Sequence, residues 1–179
     1  MKILVISDDD GIGGIRLPDE RYDLILTCGD VLQYTINEIQ RNAEIPAYGV
    51  AGNHDNYELP DRMNLHLKIK EYRGYKFGGF EGSWKYKPIG YHLYSDQAVQ
   101  VKLKDFLYVD VFLAHNPPKG IHDMADDVHN GFSAFYEYIQ RQKPMYFIHG
   151  HVHKNQESQV GETKVISVYG CRFLELPDK

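Results

Sequence analysis

Five short aliphatic runs in this chain each stop at a cluster of Asp, Asn or His. Ile3–Ser7 meets Asp8-Asp9-Asp10, and Asp23–Cys28 meets Gly29-Asp30. Ala47–Ala51 meets Gly52-Asn53-His54-Asp55, Val109–Ala114 meets His115, and Met145–Ile148 meets His149-Gly150-His151-Val152-His153. Runs of this length, mainly apolar and bounded by polar residues, are expected to be strands buried on both faces. Between the second and third, Val31–Ala43 has apolar residues at helical spacing and is stopped by Pro46. Strand, strand, helix, strand implies a parallel sheet carrying helices. In open α/β sheets, ligands bind just beyond the carboxyl ends of the strands. The pattern places metal-type side chains at that edge five times.

Elsewhere the signals are coarser. Leu65–Phe80 is strand-like, with a turn at Arg73-Gly74. Phe132–Arg141 is expected to be a helix, and Val160–Phe173 a terminal hairpin with Lys164–Val168 as its clearest strand. The 179 residues suit a single domain spanning 1–179.

The chemistry of the clusters is that of divalent cations. Asp, Asn and His together suit hard or borderline ions. One ion rarely needs seven such residues. Two ions about 3.5–4 Å apart, sharing a carboxylate, use them all, clamp a phosphoryl oxygen and supply hydroxide at neutral pH. Glycines beside the clusters let the backbone turn sharply and approach closely. His151 and His153 are two apart, so an extended segment points both rings to one side. His149 precedes Gly150 within the strand and is set aside.

Taken in order, SDDDG, CGD, GNHD, AHNPP and GHVH resemble the signature of the calcineurin-like metallophosphoesterases from Met1 to His153. The resemblance implies an α/β fold: a two-layer β-sandwich flanked by helices, with a dinuclear site at the carboxyl edge of the strands. It also implies a ligand set. Asp8, Asp30 and His153 hold the first cation, with Asp10 where the family has His. Asp30 bridges, and Asn53, His115 and His151 complete the second. His54 stabilises the phosphoryl oxygen or protonates the leaving group, and Asp55 orients His54. The departure at Asp10 moves the first site towards oxygen ligands. Manganese is then the expected cation, with Fe, Zn, Co, Mg or Ni as alternatives.

Other signals weigh less. Tyr57–Tyr94 is rich in aromatic residues: either a wall beside the cations or the core and edge of a second sheet. Trp84, Lys85 and Tyr86 are its candidates for contact with substrate, Trp84 being expected in a loop. His122 and His129 follow His115 in an acidic run, as a solvated loop or as a lid from which His122 reaches the substrate. His66 and His92 have no motif context. Three consecutive Asp do not make an EF-hand, and Gly11-Ile12-Gly13-Gly14 lacks the third glycine of a nucleotide fingerprint.

Composition excludes several classes. With 20 basic and 25 acidic residues the net charge is −5, against stable nucleic-acid binding or docking on an anionic membrane. Two cysteines without a CxxC pair rule out a thiolate zinc site and suit a reduced, cytoplasmic chain. No run approaches a membrane span. The expected activity is metal-dependent hydrolysis of a small phosphorylated substrate, a phosphodiester in preference to a monoester. The alternative is a protein of the same fold acting as a binding or scaffold subunit. Oligomeric state is not legible.

Overall fold

A computed structural model describes every residue of the chain except Ala43. Three parallel strands, β1 (Lys2–Ser7), β2 (Leu24–Cys28) and β3 (Ala47–Val50), build the first sheet. Between β2 and β3 lies helix α1 (Gln33–Arg41). A hairpin follows, β4 (Ile69–Tyr72) and β5 (Tyr75–Phe80), turning at Arg73-Gly74 as expected. Next come a two-stranded ribbon, β6 (Ser83–Trp84) and β7 (Leu93–Tyr94), then α2 (Asp96–Leu103) and β8 (Val111–Ala114). The chain continues through α3 (Ser133–Gln142) to β9 (Tyr146–His149), β10 (Gln156–Val160), β11 (Thr163–Ser167) and β12 (Gly170–Glu175).

The first sheet has the order β12-β1-β2-β3, and the second β10-β11-β9-β8-β5-β4. Strand β12 runs antiparallel to β1, pairing Ile3 with Leu174 and Ile6 with Cys171. The middle of the second sheet is parallel, from β5 through β8 and β9 to β11. Its outer strands β4 and β10 are antiparallel.

Parallel strands must bury both faces, which accounts for three separate apolar clusters. Ile3, Val5, Leu24 and Leu26 of the first sheet meet Phe77, Val111, Leu113 and Ile148 of the second. Ile36 and Ile39 of α1 cover the outer face of the first sheet. Val99 and Leu103 of α2, with Phe135, Tyr138 and Ile139 of α3, cover the second. The result is the expected helix–sheet–sheet–helix stack.

Three expectations shift. The terminal hairpin spans Gln156–Ser167 and turns at Gly161-Glu162, whereas β12 leaves it to join the other sheet. Helix α1 is shorter than Val31–Ala43, whose last residue lies outside the described residues. Helix α2 carried no clear periodic signal; it is started by Ser95, whose hydroxyl accepts the Ala98 N–H. Among the described residues no helix is long and apolar enough to cross a membrane.

Candidate metal centre

The carboxyl ends of β1, β2 and β3 and those of β8 and β9 open on one edge of the sandwich. That edge gathers Asp8, Asp10, Asp30, Asn53 and His54 from the first sheet with His115, His151 and His153 from the second. The turns are tight. Asp8, Asp30, His151 and His153 all have left-handed backbones, with φ of 53°, 51°, 69° and 50°, a conformation uncommon outside glycine that recurs where function requires it. A Cβ on Gly52 would fall 2.0 Å from Asp30 Oδ1, and one on Gly150 would fall 1.9 Å from Ser7 Oγ. Only glycine admits those carboxylates so close to the backbone.

Asp30 lies at the centre. His115 Nε2 is 3.2 Å from its Oδ2, and His54 Nδ1 is 3.5 Å from the same oxygen. Ligand atoms of Asp30, His115 and His151 fall within 4.8 Å of one another, and so do those of Asp10, Asp30 and His54. Asp30 thus belongs to both groups that could hold a cation. Asn53 Oδ1 lies 3.1 Å from His115 Nε2, completing the first group with a neutral oxygen.

Hydrogen bonds behind the imidazoles select the nitrogen that faces a cation. His115 Nδ1–H donates to the Cys28 carbonyl at 2.8 Å, leaving Nε2 for the cluster. His151 Nε2–H donates to the Val128 carbonyl at 3.1 Å, leaving Nδ1. Burial pushes the His151 ring down to about 3, so it is neutral and able to ligate. Burial would do the same to His115, but the charges of Asp30 and Asp8 outweigh it and raise it to about 10. Burial would raise Asp30, yet His115 and His54 hold it well below the usual carboxylate range.

The three consecutive aspartates divide the labour. Asp8 accepts the Ser7 hydroxyl at 2.6 Å and the His151 N–H at 2.9 Å, and lies 3.4 Å from His153 Nε2. Asp9 turns away, accepting the Leu32 N–H and the Thr35 hydroxyl at 2.6 Å each, which anchors the start of α1. Asp10 faces His54, with Oδ2 2.8 Å from Nδ1. The segment from His151 to His153 is not extended as expected; successive left-handed turns aim its rings.

Asp55 corrects the expectation that it orients His54. Its carboxylate accepts main-chain N–H groups from Gly52 at 2.7 Å and from Asp30 and Val31 at 3.1 Å each. It braces the two loops that carry Asp30 and Asn53, and is a positioning residue. The group against the His54 ring is Asp10. Burial pushes the Asp55 carboxyl up to about 6, against the pull of the Gly52 N–H.

The substrate candidates part company. Tyr86 is half-buried with its hydroxyl 3.4 Å from Asn53 Nδ2, and Lys85 beside it is exposed. Trp84 is in strand β6 rather than a loop, and packs on Phe132 with centroids 5.9 Å apart. His122 has both ring nitrogens engaged, one with His149 at 3.0 Å and one with Ser158 at 2.9 Å. It anchors its loop rather than reaching out as a lid. Sequence reasoning missed Asp9 as the anchor of α1, for which Thr35 four residues after Val31 was a faint signal. It missed the Val128 carbonyl, which no side chain announces. Tyr169, stacked on the His153 ring with centroids 5.0 Å apart, was equally silent.

Two packed sheets whose strand ends share a histidine–carboxylate cluster define an α/β protein with a site that could hold cations. Residues 1–169 match the calcineurin-like phosphoesterase superfamily domain, and the chain belongs to that superfamily, whose members bind divalent metals. One solved structure is similar with a TM-score of 0.69 at 18% identity, covering 97% of this chain and 94% of its own. Phosphopantetheinyl hydrolase from Mycobacterium tuberculosis is similar at 0.59 and 12%, covering 94% and 89%. Zinc-complexed Vps29 from Entamoeba histolytica is similar at 0.50 and 15%, covering 99% and 87%. Comparison with curated proteins gives no match.

Proposed function

We propose that this protein is a metal-dependent phosphoric ester hydrolase acting on a small phosphorylated substrate. The observation that carries the reading is the shared position of Asp30, whose carboxylate belongs to both candidate ligand groups. The donor set fits two divalent cations. Asp30, Asn53, His115 and His151 would hold one; Asp10 and Asp30, which group with His54, would hold the other together with Asp8 and His153. Such ions supply Lewis acidity towards a phosphoryl oxygen and a nucleophile at neutral pH.

The remaining work belongs to side chains. His54 is the most open of the cluster, its side chain 56% exposed. With Nδ1 held by Asp10, its Nε2 is the atom offered to a phosphoryl oxygen or a leaving group. Asp55 keeps the two loops in register. Tyr86 stands on the Asn53 side, where an aromatic leaving group would find a partner, and the exposed Lys85 next to it in sequence would supply a charge for phosphate. That pairing supports a diester in preference to a monoester. Three carboxylates and an amide oxygen favour manganese over zinc, since hard cations favour oxygen. A cytoplasmic setting suits the free thiol of exposed Cys171.

The test is hydrolysis of bis-p-nitrophenyl phosphate and p-nitrophenyl phosphate by Mn-loaded protein. Wild type turns over. Asp30→Ala loses cations and activity together, whereas His54→Ala keeps its cations and loses about 100-fold or more in turnover, the usual weight of a general acid. Full activity in His54→Ala would remove His54 from the mechanism. Bound cations with no turnover on any phosphoester favour the binding-subunit reading instead.

A further inference from the structure

The loop between β8 and α3 touches the cluster through a main-chain atom. Because a carbonyl only accepts, the Val128 contact puts the His151 ring hydrogen on Nε2. Valine has no say in where its carbonyl points; the turn 126–129 decides that. Asp126 builds the turn. Its Oδ1 accepts the Val128 N–H at 2.9 Å and the His129 N–H at 2.6 Å, and its Oδ2 accepts His129 Nδ1–H at 2.8 Å. The His129 ring is thereby placed against His151, centroids 4.9 Å apart, and the His115 ring lies 4.8 Å from His151 as well.

The rest of the loop is pinned independently of this turn. Asp123 accepts the N–H groups of Gly120 at 3.0 Å and Gly131 at 3.3 Å. His149 Nδ1–H donates to the Gly150 carbonyl, so its Nε2 must accept from His122 Nδ1–H. With both ends held, the 126–129 turn is the part left free to set where Val128 points.

We propose that Asp126 is a positioning residue for the cation centre: by folding the 126–129 turn it fixes the tautomer of His151, and so the ring nitrogen offered to a cation. The inference rests on the reading of His151 as a cation ligand. It separates two duties of the Asp126 carboxylate. Both main-chain contacts fall on one oxygen, which an asparagine keeps. Only the contact with the His129 ring uses the other.

The experiment compares wild type, Asp126→Asn and Asp126→Ala. Long-range proton–nitrogen NMR on cation-free protein reads the His151 tautomer, and calorimetry reads Mn2+ affinity. Wild type and Asp126→Asn hold the Nε2–H tautomer and bind Mn2+ alike. Asp126→Ala shows mixed tautomers and binds Mn2+ about 10- to 100-fold more weakly, the range typical of groups that orient a ligand. An Nδ1–H tautomer in wild type overturns the proposal, and so does wild-type behaviour in Asp126→Ala. Asp126→Asn as weak as Asp126→Ala also overturns it, because charge and not the turn then matters. If Asp126→Ala fails to fold, wild type and Asp126→Asn still decide. A wild type that binds no Mn2+ sinks the cation reading, and the tautomer comparison then judges Asp126 on its own.

Discussion

Despite burial, the charges of Asp30 and Asp8 favour a proton on His115, which a cation bound there would have to displace. The ordinary imidazole value is 6.5 and the folded, cation-free value is raised to about 10. Between those limits the proton stabilises the folded protein, a contribution complete below pH 6.5 and lost as pH rises through 10. Binding at Nε2 must displace that proton, so affinity should rise with pH across the neutral range. Calorimetry at pH 7.5 in two buffers of different ionisation heat should show close to one proton released per cation at this position. No buffer dependence would mean that His115 is neutral before binding. At this scale the clustering was legible, because Asp, Asn and His at strand ends have few other reasons to gather. Their supports were not. Asp55 and Val128 act through main-chain atoms, and a hydrogen-bond partner on the backbone leaves no mark on residue type.

Among the elements, the small ribbon of β6 and β7 is held by a half-buried carboxylate. Glu81 Oε1 accepts the Tyr94 hydroxyl at 2.6 Å and lies 3.1 Å from His92 Nδ1. Burial would raise its carboxyl, but His92 and Tyr94 outweigh it and hold it down at about 2, from 4.5. A lowered carboxylate contributes stability that is complete above pH 4.5 and lost as pH falls towards 2. Denaturant unfolding should therefore show wild type losing its advantage over Glu81→Gln as pH falls from 4.5 towards 2. An advantage constant across that range would detach Glu81 from the ribbon. His92 thus has a purpose that no motif suggested, and so does His66, whose Nδ1 accepts the Glu81 N–H at 3.1 Å. The most legible elements are those with short apolar runs, β1, β2, β3, β8 and β9, followed by the β4–β5 hairpin, α3 and β11. Strand β10 reads Gln-Glu-Ser-Gln-Val and sits on an edge, where alternation with solvent removes the apolar signal. Helix α2 buries only Val99 and Leu103, one turn apart, too little for a periodic pattern.

For the whole molecule, the centre is drawn from both sheets. Asp8, Asp30 and Asn53 stand on the first and His115, His151 and His153 on the second, so bound cations tie the layers together across their shared edge. Main-chain contacts already cross there: the His151 N–H ends on Asp8, and His115 reaches the Cys28 carbonyl. A ligand bound only by the folded form stabilises it by about 2.7 kcal/mol at one hundred times its dissociation constant. For a chain of this size that is about 5–10 °C in melting temperature. Thermal melts with Mn2+ and with a chelator should differ by that amount, and the difference should vanish in Asp30→Ala. Equal melts in wild type would mean that the folded form binds no Mn2+.

The left-handed backbones at Asp8, Asp30, His151 and His153 carry a consequence for which replacements the chain tolerates. Branched residues such as Val, Ile and Thr are refused at these four places by the backbone itself, before any question of chemistry arises. Asn and Gly are admitted by the backbone, Gly without any donor atom and Asn with a neutral oxygen in place of a charged one. A library of variants scored separately for folding and for cation binding would therefore split at these positions. It would show two layers of constraint at each one, the older demand of the turn lying beneath that of the metal.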